Sequence, residues 1–168
     1  RRTAPVIAYF DTSAVVPLIV SEPATERCVR LWNESSRIVS VRLLYPEARA
    51  AFARANRMGR ITPNQLASAV TDLDSIIAEV DHVEITADLA WAAGDLAQSH
   101  GLRGYDAVHL AAAHAVADSD LVLVTGDSDL VAAAAALGIS VAATNSGPRF
   151  LEQRTITLLA VDDWVALT

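Results

Sequence analysis

Short apolar runs recurring between longer amphipathic segments constrain this chain more than any other feature. Val6–Phe10, Arg37–Val41, His82–Ile85, Leu121–Thr125 and Ile139–Ala143 have the length and composition of strands. Leu121–Val124 is continuously apolar, as a strand covered on both faces must be. The helix signals between them are explicit. Thr62 before Pro63 gives a cap followed by proline at the first helical position, and Thr86 precedes Ala87-Asp88-Leu89 in the same manner. Gly59, Gly101 and Gly138 supply helix stops. Strands separated by helices predict an α/β fold, an open and mostly parallel sheet with helices on both faces. With 168 residues, 52% of them hydrophobic and 20% charged, the chain can bury one core and is too apolar to stay disordered. No internal repeat and no linker rich in Pro, Gly or Ser divides it before about residue 145. Residues 1–145 therefore read as one domain and 146–168 as a tail of unassigned role, in which Thr155–Val161 has strand character.

Several kinds of chemistry are excluded by what is missing. All 13 basic residues are Arg and none is Lys, which removes a phosphate-binding P-loop lysine, a Schiff base and a receiver-domain lysine. Cys28 is alone, so neither an internal disulfide nor a cysteine-rich zinc site can form, and the cytoplasm is the expected compartment. The four histidines, His82, His100, His109 and His114, lack a pair at zinc-binding helical spacing. There is no GxSxG and no GxGxxG, and Gly101-Leu102-Arg103-Gly104 reads as a loop before a helix opening near Tyr105. Arg1 and Arg2 precede an apolar stretch that Asp11 interrupts, so no membrane segment is expected.

Acidic residues remain. Asp11 ends one apolar strand and Asp127 follows another, and ligands of open α/β sheets bind outside the carboxyl ends of strands. Glu47 and Asp106 lie near the beginnings of helices, which face the same edge in a parallel unit. Singly, each acid also reads as a helix cap or a partner of the helix dipole. Gathered together, they need a counter-charge, because two carboxylates 4 Å apart repel by roughly 4 kcal/mol at an effective dielectric of about 20. An oxygen-rich, sulfur-free, histidine-poor set suits Mg²⁺ or Mn²⁺, ions that activate water and stabilise charge on a phosphate. The helix from about Leu43 to Met58 puts Leu44, Ala48, Ala51, Phe52 and Ala55 on one face and Arg42, Arg49, Arg57 and Arg60 on the other. That basic side is either a solvated face or a ridge contacting phosphate or a partner, notable in a chain of net charge −7. His109, three residues after Asp106 on an Ala/Leu face, reads as a packed core residue.

Four segments carry a family resemblance: Tyr9-Phe10-Asp11-Thr12-Ser13-Ala14-Val15, Pro46-Glu47, Tyr105-Asp106-Ala107-Val108-His109-Leu110-Ala111 and Val124-Thr125-Gly126-Asp127-Ser128-Asp129-Leu130. In this order they resemble PIN-domain ribonucleases of the VapC toxin type, over about residues 5–145. The resemblance implies an α/β/α sandwich and a Mg²⁺- or Mn²⁺-dependent endoribonuclease, neutralised by a VapB-like antitoxin and expected as a homodimer. It matches Asp11, Glu47, Asp106 and Asp127 to an acidic, metal-binding tetrad, with Asp129 competing with or assisting Asp127, and Ser13 and Thr125 as supporting hydroxyls. Local turn hydrogen bonds would equally explain those two hydroxyls. The competing function is a PIN-like binding module without nuclease activity, acting through protein assembly. A haloacid-dehalogenase-type phosphatase would want a second Asp two residues after Asp11, where Ser13 stands. The apolar positions Val29, Leu31, Leu66, Val70, Leu73 and Ile77 of helices near 23–33 and 63–80 read as core, with some available to a dimer or antitoxin surface.

Overall fold

A computed structural model describes residues 6–117 and 120–145. In chain order the elements are β1 (Ile7–Phe10), α1 (Thr12–Ile19), α2 (Thr25–Glu34), β2 (Arg37–Val41), α3 (Leu44–Arg57), α4 (Pro63–Ile77), β3 (Asp81–Val83), α5 (Ala87–His100), α6 (Gly104–Ala115), β4 (Leu121–Thr125), α7 (Ser128–Ala136) and β5 (Ser140–Ala143). The expected strand at His82–Ile85 is shifted, ending at Val83 as an edge strand. The tail 146–168, with Thr155–Val161, lies outside the described residues.

The strand order is β3-β2-β1-β4-β5 and every pairing is parallel. The chain moves from β1 outward to β2 and β3, then crosses back to place β4 on the other side of β1. The switch in direction falls between β1 and β4, where neighbouring connections leave to opposite sides and open a crevice at the carboxyl edge. β4 is buried along its whole length, as its unbroken apolar run requires. Alternation along β1 divides the core. Ala8 and Phe10 face a cluster with Val15, Leu31, Leu44, Phe52 and Leu73, while Tyr9 faces one with Leu89, Leu110, Leu123 and Leu130. Helices α1 to α4 thus cover one face and α5 to α7 the other, giving an α/β/α sandwich.

Local signals work as their chemistry dictates. Thr62 and Gln65 form a reciprocal capping box, and the Thr86 hydroxyl accepts from the Leu89 amide. Gly101 closes α5 in the left-handed region, at φ 63°. Leu31 and Leu73 are fully in the core, with Leu66 and Ile77 packed against it; Val29 stays exposed. The basic ridge is not a single helix face. Arg42 lies before α3 and pairs with Glu84, Arg60 lies beyond α3 and pairs with Glu22, and Arg49 stacks on Tyr45 and donates to its hydroxyl. The reason is the short turn from β2, which fixes Arg42 beside the edge strand β3 before the helix begins.

Candidate active site

β1 ends one residue before Asp11, and this residue caps α1: its carboxylate accepts from the Ala14 amide while its backbone remains extended. β4 ends with Thr125, and Asp127 caps α7, accepting from the amides of Asp129 and Leu130. Both acids therefore stand at starts of helices on the carboxyl edge of adjacent strands. The cap explanation and the site explanation describe the same geometry.

Asp11 is only 4% exposed. The Ser13 hydroxyl donates to its Oδ1 at 2.7 Å and the Thr125 hydroxyl to its Oδ2 at 2.6 Å. Burial pushes the Asp11 carboxyl above its ordinary range; the proximity of His109, the two hydroxyls and the Ala14 amide pull it down without cancelling that rise. Thr125 Oγ1 also accepts from the Asp127 amide at 3.0 Å, and Ser13 Oγ accepts from the Gly126 amide at 2.8 Å. The Thr125-Gly126-Asp127 turn is thereby tied to Asp11. Gly126 is required there because a Cβ would come within 2.8 Å of the Thr144 hydroxyl.

Glu47, in the first turn of α3, accepts at Oε1 from the Thr12 hydroxyl at 2.9 Å and lies 2.7 Å from His109 Nε2. His109 is buried, as expected, but it is not an inert packing residue. Its Nδ1 lies 2.9 Å from the hydroxyl of the fully buried Tyr9, whose phenol burial pushes well above its usual range. Asp106, in the first turn of α6, accepts from Arg103 Nε at 2.9 Å, and Arg103 Nη2 is 3.6 Å from Asp127 Oδ2. The neighbouring carboxylate of Asp106 raises the Arg103 guanidinium still further. Asp129 joins through its backbone amide, and its side chain is exposed, so Asp127 is the one that shares a cation with Asp106.

The contacts close a ring: Asp11 to Thr125, Thr125 to Asp127, Asp127 through Arg103 to Asp106, one helical turn on to His109, then Glu47 and Thr12 beside Asp11. A cleft of about 310 Å³ opens next to it, lined in part by Thr12, Ser13, Glu22 and Gly126. Arg42, Arg49 and Arg60 are engaged outside the ring, and no contact joins Arg57 to it among the described residues. Cys28 is no nucleophile, since burial pushes its thiol up to about 11. Sequence reasoning overlooked Tyr9, Thr12 and Arg103 as polar partners. The i,i+3 spacing of Arg103 and Asp106 was a readable signal for one of them.

An ion would find an all-oxygen donor set and, in Asp11, a buried carboxylate with no cation bonded to it among the described residues. The donors fit a hard divalent ion. Their present arrangement is held by protein partners, and no three His, Cys, Asp or Glu side chains among the described residues form a ready ligand cage.

Comparison with known proteins bears on the family and the fold. Residues 8–136 match the PIN domain. Ribonuclease VapC45 of Mycobacterium tuberculosis (strain CDC 1551 / Oshkosh) and ribonuclease VapC49 of M. tuberculosis (strain ATCC 25618 / H37Rv) are each 42% identical over 142 residues, 84% of this chain and 99% of theirs. The crystal structure of PAE2754 from Pyrobaculum aerophilum is similar at a TM-score of 0.55 and 26% identity, over 77% of this chain and 87% of that one. With the domain match running from β1 through α7 and so enclosing all four acids, the chain belongs to the PIN-domain family.

Proposed function

We infer that this protein is an endoribonuclease that depends on Mg²⁺ or Mn²⁺ and acts as the toxin of a toxin–antitoxin pair. The observation that carries the reading is the ring of contacts linking Asp11, Glu47, Asp106 and Asp127 at the switch point of a parallel sheet. The 42% identity to two proteins called VapC ribonucleases supplies the substrate class. A VapB-like antitoxin and a homodimer follow from the VapC-type resemblance, and the cytoplasm is the compartment where such a toxin meets RNA. Among the described residues no helix is long and apolar enough to cross a membrane.

Asp11, Glu47, Asp106 and Asp127 would hold the metal. When bound, the ion supplies activation of water and stabilisation of the charge that develops on the phosphate. The chain's own residues set the stage. Ser13 and Thr125 fix both oxygens of Asp11, Thr12 and His109 fix Glu47, and Arg103 offers a displaceable cation near the edge where a polyanion would arrive. With its side chain 77% exposed, Arg103 can reach a phosphate without rearrangement of the core. The test is incubation of antitoxin-free protein with total RNA, with and without Mn²⁺, followed by mapping of new ends. Metal-dependent cuts that vanish in Asp106→Asn are expected; equal cutting by that variant would overturn the assignment.

A further inference from the structure

We propose that His109 is a positioning residue: backed by Tyr9, it holds Glu47 with one carboxylate oxygen turned to the protein and the other left for the cation. The proposal rests on the reading above in one respect, that Glu47 is a metal ligand.

Hydrogen-bond accounting carries the argument. Tyr9 is 0% and His109 2% exposed, so solvent cannot satisfy their polar atoms. A neutral imidazole has one donor and one acceptor nitrogen, and an ionised carboxylate only accepts. The 2.7 Å approach of Nε2 to Glu47 Oε1 therefore requires the proton on Nε2. In the neutral imidazole Nδ1 is then the acceptor, with the Tyr9 hydroxyl at 2.9 Å as its donor. Thr12 Oγ1 donates to the same Oε1 at 2.9 Å, and its 3.3 Å separation from Nε2 follows from two donors meeting at one oxygen. Among the described residues both bonds to Glu47 fall on Oε1. Two fixed donors hold Oε1, and Oε2 makes no hydrogen bond among the described residues.

These bonds join distant parts of the chain. Tyr9 comes from β1, Glu47 from α3 and His109 from α6, so the carboxylate is referenced to the sheet rather than to its own helix. The Tyr9 and His109 rings meet edge to face at 84°, which fixes the imidazole plane. Around His109, Ala107, Leu110, Ala111, Ala112 and Ala113 are all buried. An aliphatic side chain would fill that position without the desolvation cost of a polar ring, so packing alone does not call for histidine.

The test uses the full antitoxin-free chain, with Mn²⁺ alone as the probe. In the wild type, ¹⁵N spectra of labelled histidine should show His109 protonated on Nε2 and bare on Nδ1, with the Nδ1 resonance shifting in Tyr9→Phe. Calorimetric titration should show Mn²⁺ affinity reduced about tenfold or more in His109→Leu, the usual scale for losing a partner of a ligand. His109→Gln, which keeps an N–H for Oε1, should recover most of that loss. A proton on Nδ1, wild-type affinity in His109→Leu, or equal weakening by Leu and Gln would each overturn the proposal. Should the substituted proteins fail to fold, the wild-type ¹⁵N pattern decides by itself. Absence of Mn²⁺ binding by the wild type would instead overturn the metal reading, leaving the hydrogen-bond assignment to the spectra.

Discussion

The two halves of the acidic ring are built on different principles. Asp11 and Glu47 are held from the protein side by short bonds from Ser13, Thr125, Thr12 and His109, side chains anchored in α1, β4 and α6. Asp106 and the Oδ2 of Asp127, whose Oδ1 caps α7, are instead bridged on the solvent side by one arginine whose side chain is 77% exposed. A buried carboxylate bonded to hydroxyls moves only if the sheet and its helices move, whereas an exposed ion pair exchanges partners at little cost. The first half is a fixed reference. Under the proposed function, the second is the half that a metal ion or a phosphate would reorganise.

Breaking the fixed half should have the largest effect. Asp11→Asn is expected to reduce RNA cleavage by more than about a hundredfold, beyond the 10–100-fold typical for residues that merely support ligands. The same substitution should raise the melting temperature of the metal-free protein. Burial lifts the Asp11 carboxyl above its unfolded value of 3.8, so the folded state binds the proton more tightly than the unfolded one. That contribution to stability is greatest at low pH and is lost as pH rises through the folded value. In Asp11→Asn it disappears, and the Ser13 and Thr125 hydroxyls can rotate to serve an amide. Thermal melts between about pH 4 and 8 should therefore be flatter in the variant than in the wild type. A lower melting temperature at neutral pH would show that the carboxylate stabilises the fold and that burial is not its dominant influence.

Thr125→Val tests the same half one step away. The methyl replaces a hydroxyl that donates to Asp11 Oδ2 and accepts from the Asp127 amide, both in a residue with no exposed surface. Leaving those groups unpaired should cost about 1–3 kcal/mol in chemical denaturation, and cleavage should fall by about tenfold or more. Thr125→Ser keeps the hydroxyl and should restore most of both. A loss in Ser as large as that in Val would show that keeping the hydroxyl does not suffice, and would overturn its assignment.

The same contrast explains what the sequence made readable. The fold was legible because its signals are local and agree with one another: β4 is continuously apolar, Thr62 and Thr86 cap helices, and the glycines at 59, 101 and 138 all adopt positive φ. Asp11 and Asp127 were legible because their place after strands follows from topology. The polar partners were harder. Tyr9 and His109 are 100 residues apart, and each alone looks like core, since an alternating strand and an Ala/Leu helix face both bury their side chains. Only register reveals that their polar atoms meet. Arg42 misled for the opposite reason: helical periodicity extrapolates through a turn that the chain does not continue as helix.

The smallest expected effect lies in the arginine-bridged half, and its sign is informative. Arg103→Gln removes the guanidinium shared by Asp106 and Asp127 without touching the core, so denaturation midpoints should be unchanged. Two carboxylates then lose a competing cation, and the Mn²⁺ concentration giving half-maximal cleavage should fall, by less than about fivefold given the solvent exposure of the pair. Added monovalent salt should narrow the difference, because it screens an exposed guanidinium more than a buried carboxylate. Arg103 also faces the edge where RNA would arrive, which pulls the other way: loss of a phosphate contact raises KM. The two roles separate on the two titrations, since metal competition appears at saturating RNA and phosphate contact at saturating Mn²⁺. If Arg103→Gln needs more Mn²⁺ rather than less, the arginine is organising Asp106 and Asp127 for the ion. The arginine-bridged half would then be as preformed as the one held by hydroxyls and His109.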